Sequence, residues 1–257
     1  MFSKILSIIQ DNYLLLNRAS NPGQMFSLDL HSHLIAGIDD GVKTIDESIE
    51  IILELRKLGV FNIITTPHVK QDRYPNTSID IKSGLDLLKK ELHKRKIKMQ
   101  IDVAAEYYAD EHFIELLLKR DILTFGENYV LFELSYKSCP TNLEEIVDII
   151  IEEGYAPVLA HPERYLYMLK EFHLYEMMKA KGVYFQLDIN SLGGYYSPKA
   201  QKIAKMLLKK NMIEFVGSDT HKMRHVEALK ETINSGQFKR LYNSGKILNN
   251  ELIGVNP

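Results

Sequence analysis

Short apolar runs alternate with amphipathic stretches along most of this chain. Strands are predicted at 26–31, 61–66, 100–105, 129–134, 156–160, 183–189 and 213–217, where apolar and β-branched residues cluster. Between them apolar positions recur at helical spacing. Ile45, Ile49, Ile52 and Leu55 follow Thr44 as N-cap and precede Gly59 as a stop. Leu85, Leu88 and Leu92 form a second stripe, and Leu143, Ile146, Val147 and Ile150 a third before Gly154. Pro198 suits the first position of a helix carrying Ile203, Met206 and Leu207. Strand followed by helix, repeated without a Pro/Gly/Ser-rich linker, predicts one parallel α/β unit. Residues 1–24 are weakly amphipathic and end in Asn21-Pro22-Gly23, which predicts a peripheral extension, one helix packed on the outside.

Composition narrows this only a little. With 257 residues, 45% hydrophobic, the chain can bury a large core. A net charge of -2 gives no global reason to expect a nucleic-acid partner. The local basic run from Lys89 to Lys98 reads as a solvated helix face. Cys139 is the only cysteine, so no intrachain disulfide can form and a reducing compartment fits. No apolar run is long enough for a membrane span, and the N-terminal one is too short for a signal peptide. The expectation is a soluble, cytoplasmic protein.

The residues at the strand ends change the picture most. The first strand closes in Asp29-Leu30-His31-Ser32-His33, and His31 and His33, two apart, share a face. The second reaches Thr66-Pro67-His68, the third Ala105-Glu106, the fourth Phe132-Glu133 and the fifth Ala160-His161. The seventh closes in Ser218-Asp219-Thr220-His221; only the sixth lacks an obvious ligand, offering the amides Gln186 and Asn190. In an α/β barrel those ends converge on one face. Buried charge is costly unless paired or metal-bound, so so many ionisable termini predict a metal site. Imidazole and carboxylate without thiolate favour manganese, iron or zinc. With Asp39 or Asp40 of the Ile38-Asp39-Asp40-Gly41 turn added, the donors are too many for one ion and imply two or three clustered cations.

In this order, and together with Asp39-Asp40-Gly41, Leu134-Ser135, Pro162-Glu163-Arg164-Tyr165, Gln186 with Asn190-Ser191-Leu192, and Lys246 through Asn250, these motifs resemble the polymerase-and-histidinol-phosphatase (PHP) superfamily. Within it they are similar to the bacterial manganese-dependent protein-tyrosine phosphatases of capsule and exopolysaccharide gene clusters. The resemblance implies a distorted seven-stranded (β/α)7 TIM-like barrel of the PHP type over residues 25–257. It also implies a manganese site in which His31, His33, Glu106 and Asp219 hold one ion. Glu106 would bridge to a second ion held by Glu133 and His161, and Asp40, with Asp39 as the alternative, would hold a third with His68 and His221. Arg164 and Arg224 would bind phosphate, and the implied substrate is the phosphorylated tail of a polysaccharide-synthesis tyrosine kinase. The leader before the first strand departs from the shorter members, and the oligomeric state is not legible.

Cysteine-dependent phosphatase chemistry needs an arginine six positions after the nucleophile, where Cys139 has Glu145. No Gly-x-Ser-x-Gly elbow is present for a serine hydrolase. Two other readings stand beside the tyrosine phosphatase. One is a small-molecule phosphatase of the same fold, of histidinol-phosphate or sugar-phosphate type. The other is a non-catalytic regulator that binds a phosphorylated tail.

Overall fold

In this computed structural model, residues 26–242, 244 and 247–253 are described. The expected N-terminal extension and Lys246 lie outside them. The strands are β1 (Leu28–Leu30), β2 (Asn62–Thr65), β3 (His68–Val69), β4 (Gln100–Val103), β5 (Glu106–Tyr108), β6 (Tyr129–Glu133), β7 (Ala156–Ala160), β8 (Tyr184–Asp188) and β9 (Phe215–Gly217). They form two parallel sheets, in the orders β1-β2-β4 and β3-β5-β6-β7-β8-β9.

The second and third apolar runs, expected to end in His68 and Glu106, each break in two. Their first halves, β2 and β4, continue the sheet from β1, and their second halves, β5 and β3, continue the other sheet from β6. Pro67 has no N–H for a ladder, and the small Ala104 and Ala105 let the chain step across. Thr66 N donates to Ser32 O, Ala104 N to Thr65 O and Glu106 N to Pro67 O along the seam. His68 and Glu106 therefore open new short strands and pair with each other in register.

The helices are α1 (Ile45–Lys57), α2 (Ser78–Lys94), α3 (Glu111–Lys119), α4 (Leu143–Glu152), α5 (His173–Ala180), α6 (Ile189–Gly193), α7 (Pro198–Lys209), α8 (Met223–Ile233) and α9 (Gly236–Tyr242). Thr44 caps α1 as expected, accepting from Glu47 N, and Pro198 opens α7 behind Ser197. The sixth apolar run ends one residue early, because Asp188 accepts from Asn190 N and starts the short α6. The basic run ending α2 is exposed, as a solvated face should be.

Alternate strand residues explain why a polar site can sit on this core. Leu28 and Leu30, Leu131, Val158 and Ala160, and Phe215 form one inner apolar cluster with Phe125 and Leu252. The opposite parity, including Ile63, Phe132, Leu159, Leu187 and Val216, packs outward among the helices. Glu133 continues the parity of Leu131, and Gln186 that of Tyr184, so both rise from the inner floor toward one end.

β1 and β9 approach most closely there. Asp219 N donates to His31 O, and His33 N to Thr220 O, each at 2.9 Å. Asp29 accepts from Ser218 N at 2.8 Å and from Ser218 Oγ at 2.6 Å. Gly217 makes this approach feasible, since a Cβ on it would lie 1.8 Å from Leu30 O and 2.8 Å from His31 Cβ. Backbone cannot yield as a side chain can. Gly217→Ala is expected to cost at least about 3 kcal/mol, read as a melting temperature lower by roughly 6–12 °C. A variant melting within 2 °C of the parent would show that the strands can part there.

Candidate metal centre

All the expected metal ligands gather at this end of the sheets. Their donor atoms form overlapping groups: His33, Asp40, His68 and His221; His31, Glu106 and His161; His31, His33 and Asp219; and His68, Glu106 and Glu133. Within each group the atoms lie within 4.8 Å of one another. Glu106 Oε2 is 3.2 Å from His31 Nε2, 3.5 Å from His33 Nε2 and 3.1 Å from His68 Nδ1. Its other oxygen is 2.9 Å from His161 Nε2. Asp219 Oδ1 is 3.2 Å from His31 Nε2 and 3.3 Å from His33 Nε2.

Three of the imidazoles, those of His31, His33 and His221, are aimed by their far nitrogens. His31 Nδ1 lies 2.8 Å from Gln186 Oε1 and His33 Nδ1 2.7 Å from Asp39 Oδ2. With those nitrogens donating, the Nε2 lone pairs face the centre. His221 Nδ1 is directed at Asp219 O, 3.0 Å away. His68 is turned the other way, with Nδ1 toward Glu106 and Glu133 and Nε2 3.5 Å from Asp40 Oδ1. The geometry also distinguishes the two aspartates. Asp39 faces away, accepting from His33, Gly41 N and His68 N, whereas Asp40 Oδ1 faces the cleft 3.4 Å from His221 Nε2.

A cation fits this arrangement. His31 Nε2, His33 Nε2, His68 Nδ1, Glu106 Oε2 and Asp219 Oδ1 are buried without a hydrogen-bond partner. Unpartnered buried donors and acceptors are costly, and a divalent metal would satisfy these five, which face one another. The electrostatics agree. Burial pushes the His31 imidazole down, but the Glu106 and Asp219 carboxylates outweigh it and hold it well above the usual range. Burial likewise opposes His33, which Asp39 and Asp219 raise to about 10. Asp39, pushed up by burial, is held at about 2 by His33 and His68. Three residues here take left-handed backbone, His31 at φ 99°, His161 at 33° and Asp219 at 46°, strain that marks positions fixed for a purpose.

The expected phosphate-binding arginines separate. Arg164 follows β7 on a single turn, Pro162–Arg164, and its guanidinium binds Asp219 Oδ2. The rings of Tyr196 and Tyr136 lie 4.3 and 5.0 Å from its Cζ. It lines a cleft of about 430 Å³ together with Asp40, His68, Glu106, Glu133 and His221. Arg224 sits exposed on the first turn of α8, outside the residues that line that cleft.

Residues with no orienting role legible in the sequence support this set. Asp39 and Gln186 orient histidines, and Asp188 Oδ2 lies 4.0 Å from Arg164. A usable signal was the pair of polar residues, Gln186 and Asp188, inside an otherwise apolar strand. Asp39→Asn removes the charge that orients His33 and should weaken divalent-metal binding about 10- to 100-fold. Titrating metal into the apo-protein tests this, and an unchanged affinity would make Asp39 merely structural.

The sequence profile of the capsular polysaccharide synthesis CpsB/CapC family matches residues 27–243. The chain belongs to this family. Among its CpsB/CapC relatives, tyrosine-protein phosphatase YwqE of Bacillus subtilis (strain 168) is 29% identical over 198 residues, covering 77% of this chain and 78% of YwqE. Tyrosine-protein phosphatase CpsB of Streptococcus agalactiae serotype V is 27% identical over 202 residues, covering 76% and 83%. The fold is similar to a crystal structure from work on YwqE of Bacillus subtilis and CpsB of Streptococcus pneumoniae, described there as metal-dependent tyrosine phosphatases. The TM-score is 0.79 at 26% identity, covering 90% of this chain and 95% of that one. A histidinol phosphate phosphatase of Lactococcus lactis shares the fold at a TM-score of 0.54 and 16% identity, covering 80% of this chain and 92% of that one.

Proposed function

We propose that this CpsB/CapC family member is a metal-dependent protein-tyrosine phosphatase acting on the phosphorylated tail of a polysaccharide-synthesis tyrosine kinase. The observation that carries the reading is the ring of unpartnered buried imidazole and carboxylate atoms beside Arg164 in a single cleft. The names of its relatives support the substrate class. In this reading His31, His33, Asp40, His68, Glu106, Glu133, His161, Asp219 and His221 hold two or three manganese ions, with iron or zinc as substitutes. The parallel sheets and the β1–β9 contacts support a distorted seven-stranded PHP barrel over residues 25–257. Among the described residues no helix is long and apolar enough to cross a membrane, which fits a cytoplasmic enzyme.

Clustered divalent cations supply Lewis-acid polarisation of phosphoryl oxygens and lower the pKa of water. The chain supplies the rest. Arg164 is a planar, permanently charged fork that can bind phosphoryl oxygens but, lacking a lone pair, cannot ligate metal. Phenol, with a pKa of about 10, is a better leaving group than an alkoxide and asks little of a general acid. Cys139 is half-buried, and burial raises its thiol pKa, so it is poorly suited to act as a thiolate nucleophile. The Asp40 side chain is 55% exposed, which supports a cleft open to a protein-borne phosphotyrosine.

The test is a chelated, metal-free protein reloaded with manganese and assayed on phosphotyrosine and phosphoserine peptides, histidinol phosphate and a sugar phosphate. Phosphotyrosine peptide should be the preferred substrate, activity should depend on metal, and Cys139→Ser should keep most of it. Preference for a small ester would favour the small-molecule reading. Loss of activity in a folded Cys139→Ser protein would sink the metal-based one.

A further inference from the structure

We propose that Tyr74 and Tyr136 form an aryl subsite, a pair of rings that contact the phenyl group of phosphotyrosine and select it over alkyl phosphates. The inference rests on the phosphatase reading above and concerns what that site accepts. Both tyrosines line the cleft. Tyr74 stacks on His68, with ring centroids 5.5 Å apart and planes 13° apart. Tyr136 stacks on His161 at 5.7 Å and 25°. His68 and His161 engage different oxygens of Glu106, so the two tyrosines flank that carboxylate.

Neither ring is a loose surface group. Tyr74 closes a tight turn, exchanging backbone hydrogen bonds with Lys70 at 2.8 and 2.9 Å. Asn76 Nδ2 pins that turn to Ile38 O and His68 O. Tyr136 is braced by Tyr165, 5.7 Å away, and by the Arg164 guanidinium, yet remains 47% exposed. A large ring held this firmly with so much of its surface free at a cleft wall is a binding surface. With phosphate beside Arg164 and the metal-facing atoms, the leaving group extends toward the cleft walls. A phenyl ring there gains stacked or edge contacts, whereas a serine or glycerol ester presents nothing for the rings to grip.

The experiment uses the manganese-loaded full chain, with Tyr74→Ala and Tyr136→Ala and the corresponding phenylalanine variants. The readout is the ratio of kcat/KM for a phosphotyrosine peptide to that for glycerol 2-phosphate, with metal content measured alongside. Each alanine variant should lower the ratio by roughly 3- to 10-fold, mainly through KM. Each phenylalanine variant should hold the ratio within about twofold, because the ring is what binds; in Tyr136→Phe the hydroxyl 3.3 Å from His161 Nε2 is also lost. Equal losses on both substrates, or an unmoved ratio in both alanine variants, would overturn the subsite. Calorimetry with a non-hydrolysable aryl difluoromethylphosphonate peptide separates the two levels of inference. A parent protein that hydrolyses no ester, but binds this peptide in a Tyr74- and Tyr136-dependent way, defeats the phosphatase reading and keeps the subsite. Binding untouched by both alanine substitutions defeats the subsite alone.

Discussion

Glu106→Gln is expected to strip at least about one metal ion from each chain and to lower turnover of phosphotyrosine peptide by about 10³-fold or more. Glu106 is fully buried, and its two oxygens meet His31, His33, His68 and His161. Burial pushes its carboxyl pKa up, but the surrounding imidazoles outweigh that and hold it well below the usual range. The carboxylate is therefore the negative charge shared by two of the candidate ligand groups. Glutamine keeps the shape and replaces one oxygen with an N–H2 that donates to an imidazole lone pair. The fold should survive, with unchanged far-ultraviolet circular dichroism, while the competition for metal is lost. Glu106→Asp, which keeps the charge on a shorter stem, should recover part of the metal and part of the rate. Elemental analysis and peptide turnover decide the matter. Full metal content with a rate within tenfold of the parent would remove Glu106 from the centre.

Arg164→Ala should leave metal content intact and lower kcat/KM on the same peptide by on the order of 10²-fold or more, comparable to removal of one oxyanion donor. Its guanidinium binds Asp219 Oδ2 and is held between two tyrosine rings, with the Asp188 carboxylate 4.0 Å away. These contacts hold the fork in place before substrate arrives, so little ordering remains to be done on binding. If its bonds strengthen as charge develops on the phosphoryl oxygens, kcat falls and KM rises together. Arg164→Lys keeps a charge but not the two-pronged geometry and should recover only part of the loss. Arg224→Ala, at an exposed position outside the cleft lining, should cost less. Parent-level turnover in Arg164→Ala would rule out a phosphate clamp at this residue. Loss of metal in the same variant would instead make it a support for Asp219.

Much of this centre was legible because parallel strands impose a simple rule. Side chains two apart share a face, and strand ends in a parallel α/β unit lie together, so His31-x-His33 and the tips at His161 and Asp219 could be grouped from the sequence. Helix starts were equally readable, since Thr44 and Pro198 act on the backbone within a few residues. Less legible was what depends on residues distant in the chain. Apolar periodicity marked two strands where four short ones stand, because the exchange between sheets at Pro67 and at Ala104-Ala105 depends on which neighbour each half finds.

Sequence alone carried the alternation of strands and helices and, the aspartate of the Asp39-Asp40 pair apart, the set of imidazoles and carboxylates that gather at one end of the sheets. Each of these is encoded in local spacing or residue chemistry. The tertiary structure decided which aspartate of the pair faces the cleft, which of the two expected arginines, Arg164 and Arg224, borders it, and which groups aim the histidines. Gln186 reaches His31 across a separation of 155 residues, and no periodicity carries information about such a bond. It also decided where Tyr74 and Tyr136 stand, since ring stacking on His68 and His161 is set by packing between loops. Local sequence fixes which face a side chain takes, whereas its direction and partners follow from close-packed neighbours brought together by the fold.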